Sequence, residues 1–539
     1  MLATLRNHHS IFYAALALGL CADYLFYERA AGISVLLFVA LVLALRGVLA
    51  RAEGRSMARG NAVLAGAALF FAACLAWRAS PTLTALNTLA LLGLLALSTV
   101  LYGNAEALWH APAALIARLV GGLADAVGLP PVLAARVARD LPRERGRIRH
   151  LRPIGCGLLL ALPVLAVFTL LLASADTVFA SYVDQIFSFE LPFELDSLFG
   201  HAFFIGAMAW ACAGGLLVSL LGGQLSAFGS AFADLTRAIV GIVYVAPGEA
   251  TDELPAEGDT QELRMPRRAL ISLGAVEALT VLGAVDLLFG SFMAIQGAYF
   301  FGGLDTLART GMTYSEYARR GFFELLAVAC LALALLCALA IVTRREGGRE
   351  RRLFLGASAV MILLVLGLLA SAFQRMALYE AAYGYTELRI YTHSFMIWLA
   401  AVLGLFLLAL LRNRAQIFVA GGLAAALVYV ALLNLANPDA WIVRENISRL
   451  HMVVEQPRGD EQVDAYYLTQ LSADATPALV GALGQLDPAS WHTVAAALAE
   501  QHAEIATRMN TSGWPAWHLG RAQAQWAIER AGLATPGTR

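Results

Sequence analysis

Long apolar runs, each ending at arginine or turn residues, divide most of the chain. A helix needs about 20 mainly apolar residues to cross the hydrocarbon core of a bilayer. Eleven runs approach that length, and they lie at 10–27, 31–50, 61–78, 82–102, 154–174, 202–223, 269–290, 321–342, 353–373, 392–411 and 415–434. The pattern predicts an all-α, polytopic integral membrane bundle of about eleven spans. The first run carries Asp23 and lacks a small-residue cleavage site, so we interpret it as a retained anchor and not a signal peptide.

The remaining chain has a different pattern. Residues 436–539 contain short segments whose apolar residues recur at helical spacing. Helix-start pairs such as Asn437-Pro438 and Asp487-Pro488 precede them, which predicts a small soluble helical domain. Five of the nine tryptophans lie there, which favours a packed core or contact with the membrane surface. We therefore expect four segments: a four-span segment at 1–102, a basic cytoplasmic loop at 103–153, a seven-span core with external polar motifs at 154–435, and the external helical domain at 436–539.

Composition agrees with a membrane protein and excludes several chemistries. Of 539 residues 59% are hydrophobic and 14% are charged, and the mean hydropathy of +0.68 is beyond that of ordinary soluble domains. All 38 basic residues are arginine, so the chain has no lysine for a Walker-type phosphate loop, a protein kinase or a pyridoxal Schiff base. The net charge of −1 gives no support to a nucleic-acid partner.

Catalytic and metal motifs are sparse. The sequence has no HExxH, GxSxG or GxGxxG pattern, and its ten histidines do not cluster at metal-ligand spacing. The six cysteines fall in apolar runs without a CxxC pair, as expected of small core residues. We expect no metal and no cofactor, and an enzyme is the less favoured class.

Arginine distribution predicts the orientation, because positively charged loops stay on the cytoplasmic side. An N-terminus inside puts 24 arginines in cytoplasmic segments and seven in the opposite loops. With an odd number of spans the tail is then external. We expect a bacterial inner-membrane protein with a cytoplasmic N-terminus and an external C-terminal domain.

This threading puts four polar clusters on the external side. They are LLASADTVFA at 171–180, TYSEYARRGFFEL at 313–325, the segment from Arg375 to His393, and NPDAWIVRENISR at 437–449. In the second cluster Glu316, Arg320 and Glu324 share a helix face. In the third, Arg375 and Tyr379 form one i,i+4 pair and Arg389 and His393 another. The candidate site residues are Asp176, Glu316, Tyr317, Arg319, Arg320, Glu324, Arg375, Tyr379, Arg389 and His393.

Three functions fit such a site. The favoured one is a cell-envelope binding or transport-type protein whose arginines bind a lipid or an anionic small molecule, since planar guanidinium groups suit carboxylate and phosphate. An enzyme acting on a lipid-linked substrate, a transferase or hydrolase with Asp176 or Glu324 as acid or base, is an alternative. A scaffold or signalling partner that docks another envelope protein through its tail is another. A purely structural interpretation has these arginines paired with neighbouring glutamates.

Two acids lie inside the seventh span. Glu277 and Asp286 are nine residues apart, which puts them about 180° apart around a helix, so each needs its own partner. Ionisable groups within the membrane are candidates for function by default, with a proton relay and interhelical hydrogen bonding as the two interpretations.

The clusters also carry a family resemblance. LLASADTVFA, TYSEYARRGFFEL, RMALYEAAYGYTELRIY and the tail segments NPDAWIVRENISR and DAYYLTQLSADATPAL resemble the bacterial multi-pass membrane proteins of domain of unknown function 4173 and its relative 4153. The resemblance covers about residues 150–485. It implies an integral membrane protein of undefined activity, and it transfers no catalytic residue.

Overall fold

Helices dominate the computed structural model. It describes residues 7–103, 112–140, 195–221, 226, 229–231, 233, 236, 275–301, 322–343, 348–453 and 464–534. The apolar helices are α1 (His8–Phe26), α2 (Ile33–Ala52), α3 (Arg59–Trp77), α4 (Pro81–Val100), α5 (Pro112–Asp140), α6 (Leu195–Leu220), α7 (Ala275–Phe301), α8 (Phe322–Val342), α9 (Gly348–Tyr383), α10 (Glu387–Arg412) and α11 (Ala415–Ala436). The tail helices are α12 (Pro438–Val453), α13 (Ala465–Thr469), α14 (Thr476–Ala482), α15 (Pro488–Ser512) and α16 (Leu519–Arg530). The described residues contain no strand, so the all-α membrane fold is confirmed.

The predicted spans correspond closely to these helices. Ten of the described helices are long and apolar enough to cross a membrane. Nine of them match predicted runs, and the run at 321–342 is also a helix, α8, with a shorter apolar stretch at Glu324–Ala340. The run at 154–174 lies outside the described residues. The tenth long helix, α5, falls where the sequence predicts a cytoplasmic loop.

The helices form two compact units. The first comprises residues 1–107, 118–233 and 503–522, and the second comprises 108–117, 234–502 and 523–539. Unit one is centred on α1 and α6, which are antiparallel and pack closely because Gly19 faces the Ile205 carbonyl; a Cβ there would lie 2.6 Å from that oxygen. Close helix approach through small residues is typical of membrane bundles.

In unit one, α5 contacts one end of the other helices. Gly122 approaches Val100 at the end of α4, and Asp140 meets His8 at the start of α1. Leu129 and Leu133 pack among α1 and α6 residues near that same end. Since both ends of the stretch from Gly122 to Asp140 return to one end of the bundle, this stretch lies across it. Exposed apolar side chains at Leu123 and Val127 are typical of a helix at a membrane surface.

A proline pair explains how α5 joins α6. Pro130 and Pro131 have no N–H, so the carbonyls four residues earlier, Ala126 and Val127, lose their helical donors. The Trp210 indole donates to the Val127 oxygen at 3.2 Å. One turn along α6, a Cβ on Gly214 would lie 2.0 Å from the Ala126 oxygen, so only glycine lets the backbones approach this closely.

A buried polar network links α2, α3 and α4 in unit one. The Arg46 guanidinium donates to the Ser98 hydroxyl at 2.8 Å and to the Asn61 amide oxygen at 3.4 Å, and it lies 5.0 Å from the Tyr102 ring centre. The sequence interpretation treated Arg46 as a topology marker. Since its side chain is buried, Arg46 also holds three helices together.

Part of the tail packs on the helix loops of unit one. The Ile33 N–H donates to the Trp517 carbonyl at 2.9 Å, and Gly32 is required beside it because a Cβ would lie 2.5 Å from that oxygen. Buried His518 donates from Nε2 to the Arg78 carbonyl at 3.1 Å, while its Nδ1 accepts from the Arg521 N–H at 3.4 Å. These two bonds require a neutral imidazole protonated at Nε2.

Unit two has two cores. One is built by α7, α8, α9 and α10, with Met361, Val365 and Leu403 fully buried. The other is the tail core, where Ile442 and Val443 of α12 pack with Leu468, Val494 and Ile528. Helix α15 begins as predicted, since the Asp487 carboxylate accepts from the N–H groups of Ala489 and Ser490 at 3.0 and 3.1 Å.

The contact between α5 and α6 predicts that alanine substitutions at two adjacent glycines, Gly214 and Gly215, differ strongly in their effect on stability. We expect Gly214→Ala to lower the apparent melting temperature, because overpacking against a backbone carbonyl costs about 1–3 kcal/mol. The matched control is Gly215→Ala, where a Cβ meets nothing within 4 Å. Thermal unfolding followed by size-exclusion chromatography in detergent measures both. Equal melting temperatures for the two variants would contradict the close approach.

His518 predicts a pH dependence of stability. Burial, and after it the charge of Arg521, lowers the pKa of His518 from 6.5 to about 4. The unfolded chain therefore binds more protons between pH about 4 and 6.5, so stability increases as pH rises across this window, by up to about 1.4 kcal/mol per pH unit. We expect His518→Gln, which does not titrate, to remove this rise in the melting temperature.

The control for this measurement is His492→Gln, a substitution of an exposed tail histidine. It should leave the wild-type pH dependence unchanged. A wild-type slope retained in His518→Gln would mean that another group titrates.

Candidate polar junction

The turn between α9 and α10 is fixed by a single asparagine of α12. Gly384 ends α9 with a positive φ of 77°, a conformation that favours glycine. The Asn446 amide then brackets the next residue, since its Oδ1 accepts from the Tyr385 N–H at 2.8 Å and its Nδ2 donates to the Tyr385 carbonyl at 2.9 Å. A Cβ on Gly384 would lie 2.7 Å from the Asn446 oxygen. The tail is thereby tied to the membrane helix pair.

Two arginines neutralise the carbonyl groups at the end of α9. Arg389 donates from Nη1 to the carbonyls of Tyr383 and Gly384, and its guanidinium lies 4.3 Å from the Tyr379 ring centre. Arg449 of α12 donates to the Glu380 carbonyl. A helix C-terminus leaves its last carbonyls without backbone donors and carries partial negative charge, so guanidinium groups are favourable there.

A histidine and a glutamate are within hydrogen-bonding distance of each other below the turn. His393 Nδ1 lies 2.9 Å from a Glu380 carboxylate oxygen, and the side-chain exposures are 17% and 5%. The imidazole ring packs 3.9 Å, centre to centre, from Phe373. Its other nitrogen, Nε2, is buried with no hydrogen-bond partner among the described residues. The imidazole therefore retains one unused nitrogen.

A pair of carboxyl groups lies where α10 meets α12. Asp439 is fully buried, and its Oδ2 accepts from the Ser472 hydroxyl. The Glu387 carboxyl is within hydrogen-bonding distance of the Asp439 carboxyl. The second oxygen of Asp439, Oδ1, has no donor among the described residues. Since two carboxylates in contact repel, this pair needs a proton or a cation.

Tyr467 of α13 borders the carboxyl pair. Its phenol oxygen accepts from the Glu387 N–H at 2.8 Å. Burial raises the pKa of Tyr467, and the charges of Glu387 and Asp439 act in the same direction. The phenol therefore stays protonated at neutral pH and keeps its O–H as a donor.

We call this group of side chains the polar junction. It consists of Glu380, Glu387, Arg389, His393, Asp439, Asn446, Arg449, Tyr467 and Ser472.

The predicted site residues have different positions relative to the polar junction. Asp176, Glu316, Tyr317, Arg319 and Arg320 lie outside the described residues. Arg389 and His393 belong to the junction, and half-buried Tyr379 lies beneath the Arg389 guanidinium. Arg375 is buried in α9, and Glu324 is exposed in the first turn of α8.

Members of the two predicted i,i+4 pairs have partners on the other side of the turn. Tyr379 of the first pair contacts Arg389 of the second, and His393 contacts Glu380, because the turn at Gly384 folds α10 back onto α9. Arg389 donates to backbone carbonyls, since the end of α9 supplies acceptors close to it.

The acids of α7 occupy different environments. Glu277 is exposed in the first turn. Asp286 is half-buried within the span, and its Oδ1 is buried without a hydrogen-bond partner among the described residues.

One further cluster, of potential metal ligands, is not evident from the sequence because its members are far apart along the chain. His8 and His9 of α1 and Asp140 of α5 bring three potential ligand atoms within 4.8 Å of one another, although the sequence shows no metal-ligand spacing. His8 Nε2 lies 2.7 Å from the Asp140 carboxylate, and this contact lowers the pKa of Asp140. The contact also attaches α5 to the start of α1.

Sequence reasoning named the NPDAWIVRENISR motif but none of its individual residues as site residues. Asp439, Asn446 and Arg449 all come from that motif, so its polar pattern was the available signal. Tyr467 and Ser472 carry no comparable signal, because they reach the junction only through folding of the tail.

The fold and the polar junction define a multi-pass helical membrane protein with a tail packed on its helix ends. The model of the family described as domain of unknown function (DUF4153) matches residues 65–482, and the chain belongs to that family. The relation to domain of unknown function 4173 stays a prediction. No curated protein and no solved structure matches the chain.

The bracket around Tyr385 predicts that Asn446 stabilises the junction. Asn446→Ala removes both hydrogen bonds to the part-buried N–H and C=O groups of Tyr385. Leaving these groups unsatisfied lowers the free energy of unfolding by about 1–3 kcal/mol. We expect a lower melting temperature and faster proteolysis of the tail. Asn510→Ala, at an exposed position of α15, is the control. If both variants were as stable as wild type, Asn446 would not fix the turn.

Proposed function

We propose that this chain is a cell-envelope protein of binding or transport type, and that the polar junction is its binding site. The observation that carries the proposal is the fully buried Asp439 carboxyl, which contacts Glu387 while its Oδ1 lacks a donor among the described residues. A buried charge destabilises the fold unless it is paired. Two buried carboxyl groups in contact are therefore favourable only when a bound species neutralises their charge.

The geometry favours a proton or a small cation as the bound species. Arg389 was expected to bind a lipid or an anionic molecule, but Arg389 and Arg449 both already donate to carbonyl oxygens. The groups left with unused lone pairs are acceptors: Asp439 Oδ1 and His393 Nε2. Acceptors bind protons and cations, whereas anions need donors.

The orientation is part of the proposal. We infer a bacterial inner-membrane location with the N-terminus cytoplasmic and the tail external, on the strength of the arginine distribution. Contacts in unit one are compatible with this orientation. The N-terminal Asn7 contacts Glu53 in the α2–α3 loop, whereas Trp517 and His518 of the tail contact the α1–α2 loop side and the end of α3.

Proton binding by the carboxyl pair predicts how stability depends on pH. In the unfolded chain, carboxyl groups lose their protons at pH about 4. If the folded pair still holds one proton above that pH, the folded state binds more protons there, and stability falls as pH rises from about 4 until the pair releases its proton, by up to about 1.4 kcal/mol per pH unit. We expect Asp439→Asn to remove this slope, because an amide can accept from Ser472 and donate to Glu387.

Melting temperature in detergent from pH about 4.5 to about 7.5 measures the slope, with the parent protein and both variants carrying His518→Gln so that His518 does not contribute. Asp464→Asn is the matched control, since it removes the same charge at an exposed helix cap. Infrared spectroscopy at neutral pH adds a direct readout, because a protonated carboxyl band should be lost in Asp439→Asn. An unchanged slope and an unchanged band in that variant would refute a shared proton.

Vesicles that contain the reconstituted protein and an internal pH indicator separate transport from binding. In a transport protein, the wild type dissipates an imposed pH gradient faster than Asp439→Asn. Equal rates, together with the infrared result, would limit the site to binding.

A further inference from the structure

An apolar groove lies in unit one where the tail packs on the loop before α2. It is lined by Ile33, Met509, Gly513, Trp514 and Trp517 and has a volume of about 390 Å³. Trp514, Trp517 and Met509 are 53%, 37% and 39% exposed. Large apolar side chains grouped at one open surface mark a binding site more often than isolated exposed residues do.

The position of the groove indicates which layer of the membrane it faces. Ile33 is the first residue of α2, an apolar helix long enough to cross a membrane. The groove therefore opens at the height where the span meets the headgroup layer. Tryptophan is enriched at this height because its ring is apolar and its N–H is polar. The Trp514 indole donates to the Tyr24 hydroxyl at 3.3 Å, near the end of α1.

Basic side chains border the same groove. Met509 also lines an adjoining small cavity, whose wall includes Arg508 and Arg521. The Arg29 guanidinium lies 4.8 Å from the ring centre of Tyr24, whose hydroxyl accepts from the Trp514 indole. Glu504, which pairs with Arg508 at 2.7 Å, offsets part of this charge. An apolar groove with a basic rim is complementary to an amphipathic anion.

We propose that the groove binds one phospholipid with an anionic headgroup, whose acyl chain packs against Trp514, Trp517 and Met509 and whose phosphate faces the basic rim. A lipid bound here bridges the tail to the loop at the start of α2, so it adds to the hydrogen bond between Ile33 and Trp517. The site is separate from the polar junction in residues and in chemistry, and the proposed function does not depend on it.

Photolabelling of the full-length protein in nanodiscs tests the proposal. The probe is phosphatidylglycerol with a diazirine on one acyl chain, and mass spectrometry of peptides locates the label. We expect label on the peptide that contains residues 509–517. Trp526, a 59%-exposed tail tryptophan outside the groove, reports labelling of any exposed aromatic residue. Equal label at Trp526 would overturn the proposal.

Two adjacent residues of α15 provide a matched pair of variants. Met509→Glu puts a carboxylate in the groove, whereas Asn510→Glu adds the same charge at an exposed neighbour that does not line it. We expect Met509→Glu to lose most of the label and Asn510→Glu to keep it. Retention of the label in Met509→Glu would overturn the proposal. Trp514→Ala, at an exposed position, gives a second test if Met509→Glu does not fold.

The headgroup assignment has its own test. We expect Arg508→Gln to reduce labelling by phosphatidylglycerol about fivefold, because one basic residue near anionic lipid contributes about 1 kcal/mol. Labelling by the matching phosphatidylcholine probe should be weak and unaffected by this variant. Equal labelling by the two lipids would show that the groove binds acyl chains without selecting an anionic headgroup, which contradicts the proposal.

Discussion

Carbonyl oxygens that the helices leave without a backbone donor determine how this protein packs. Where packing or the bilayer keeps water away from such an oxygen, it needs a donor from a side chain. Pro131 frees the Val127 carbonyl, and Trp210 of another helix donates to it. The end of α9 receives Arg389 and Arg449, and the carbonyl of Arg78 at the end of α3 receives His518. In each case the donor side chain comes from a different element. The same hydrogen bonds therefore satisfy the backbone carbonyls and hold the elements together.

The acceptors that remain without a donor are then informative. Within the described residues they include Asp439 Oδ1, His393 Nε2 and Asp286 Oδ1, all buried. Two of these three lie in the polar junction, close to where the tail begins. These three atoms belong to ionisable side chains, whereas several other buried atoms without a partner among the described residues, such as the hydroxyls of Ser34 and Ser358, belong to neutral ones. A buried ionisable group without a donor is the stronger mark of a candidate site, because a buried charge is the more costly to leave unpaired.

The sequence predicts the membrane helices well because a 20-residue apolar run has few alternatives in a bilayer. It places α5 less well, since a proline pair and an amphipathic pattern allow either a surface helix or a span. The site is only partly predictable. The polar motifs that hold Arg389, His393 and Asn446 stand out in an apolar chain. Their partners do not, because the left-handed turn at Gly384 and the α10–α11 hairpin bring together residues that are 13 to 61 positions apart.

Asn446 lies nine residues after Asn437, the left-handed residue that ends α11. Each residue added to or removed from a helix rotates everything beyond it by about 100° and shifts it by about 1.5 Å. Inserting or deleting one residue between these two asparagines would turn the bracket away from Tyr385 while leaving every membrane helix intact. The first part of α12 therefore sets the distance and the rotation between the end of α11 and the turn at Tyr385. Family members that keep the Asn446 bracket should tolerate length changes in their loops but not between these two asparagines.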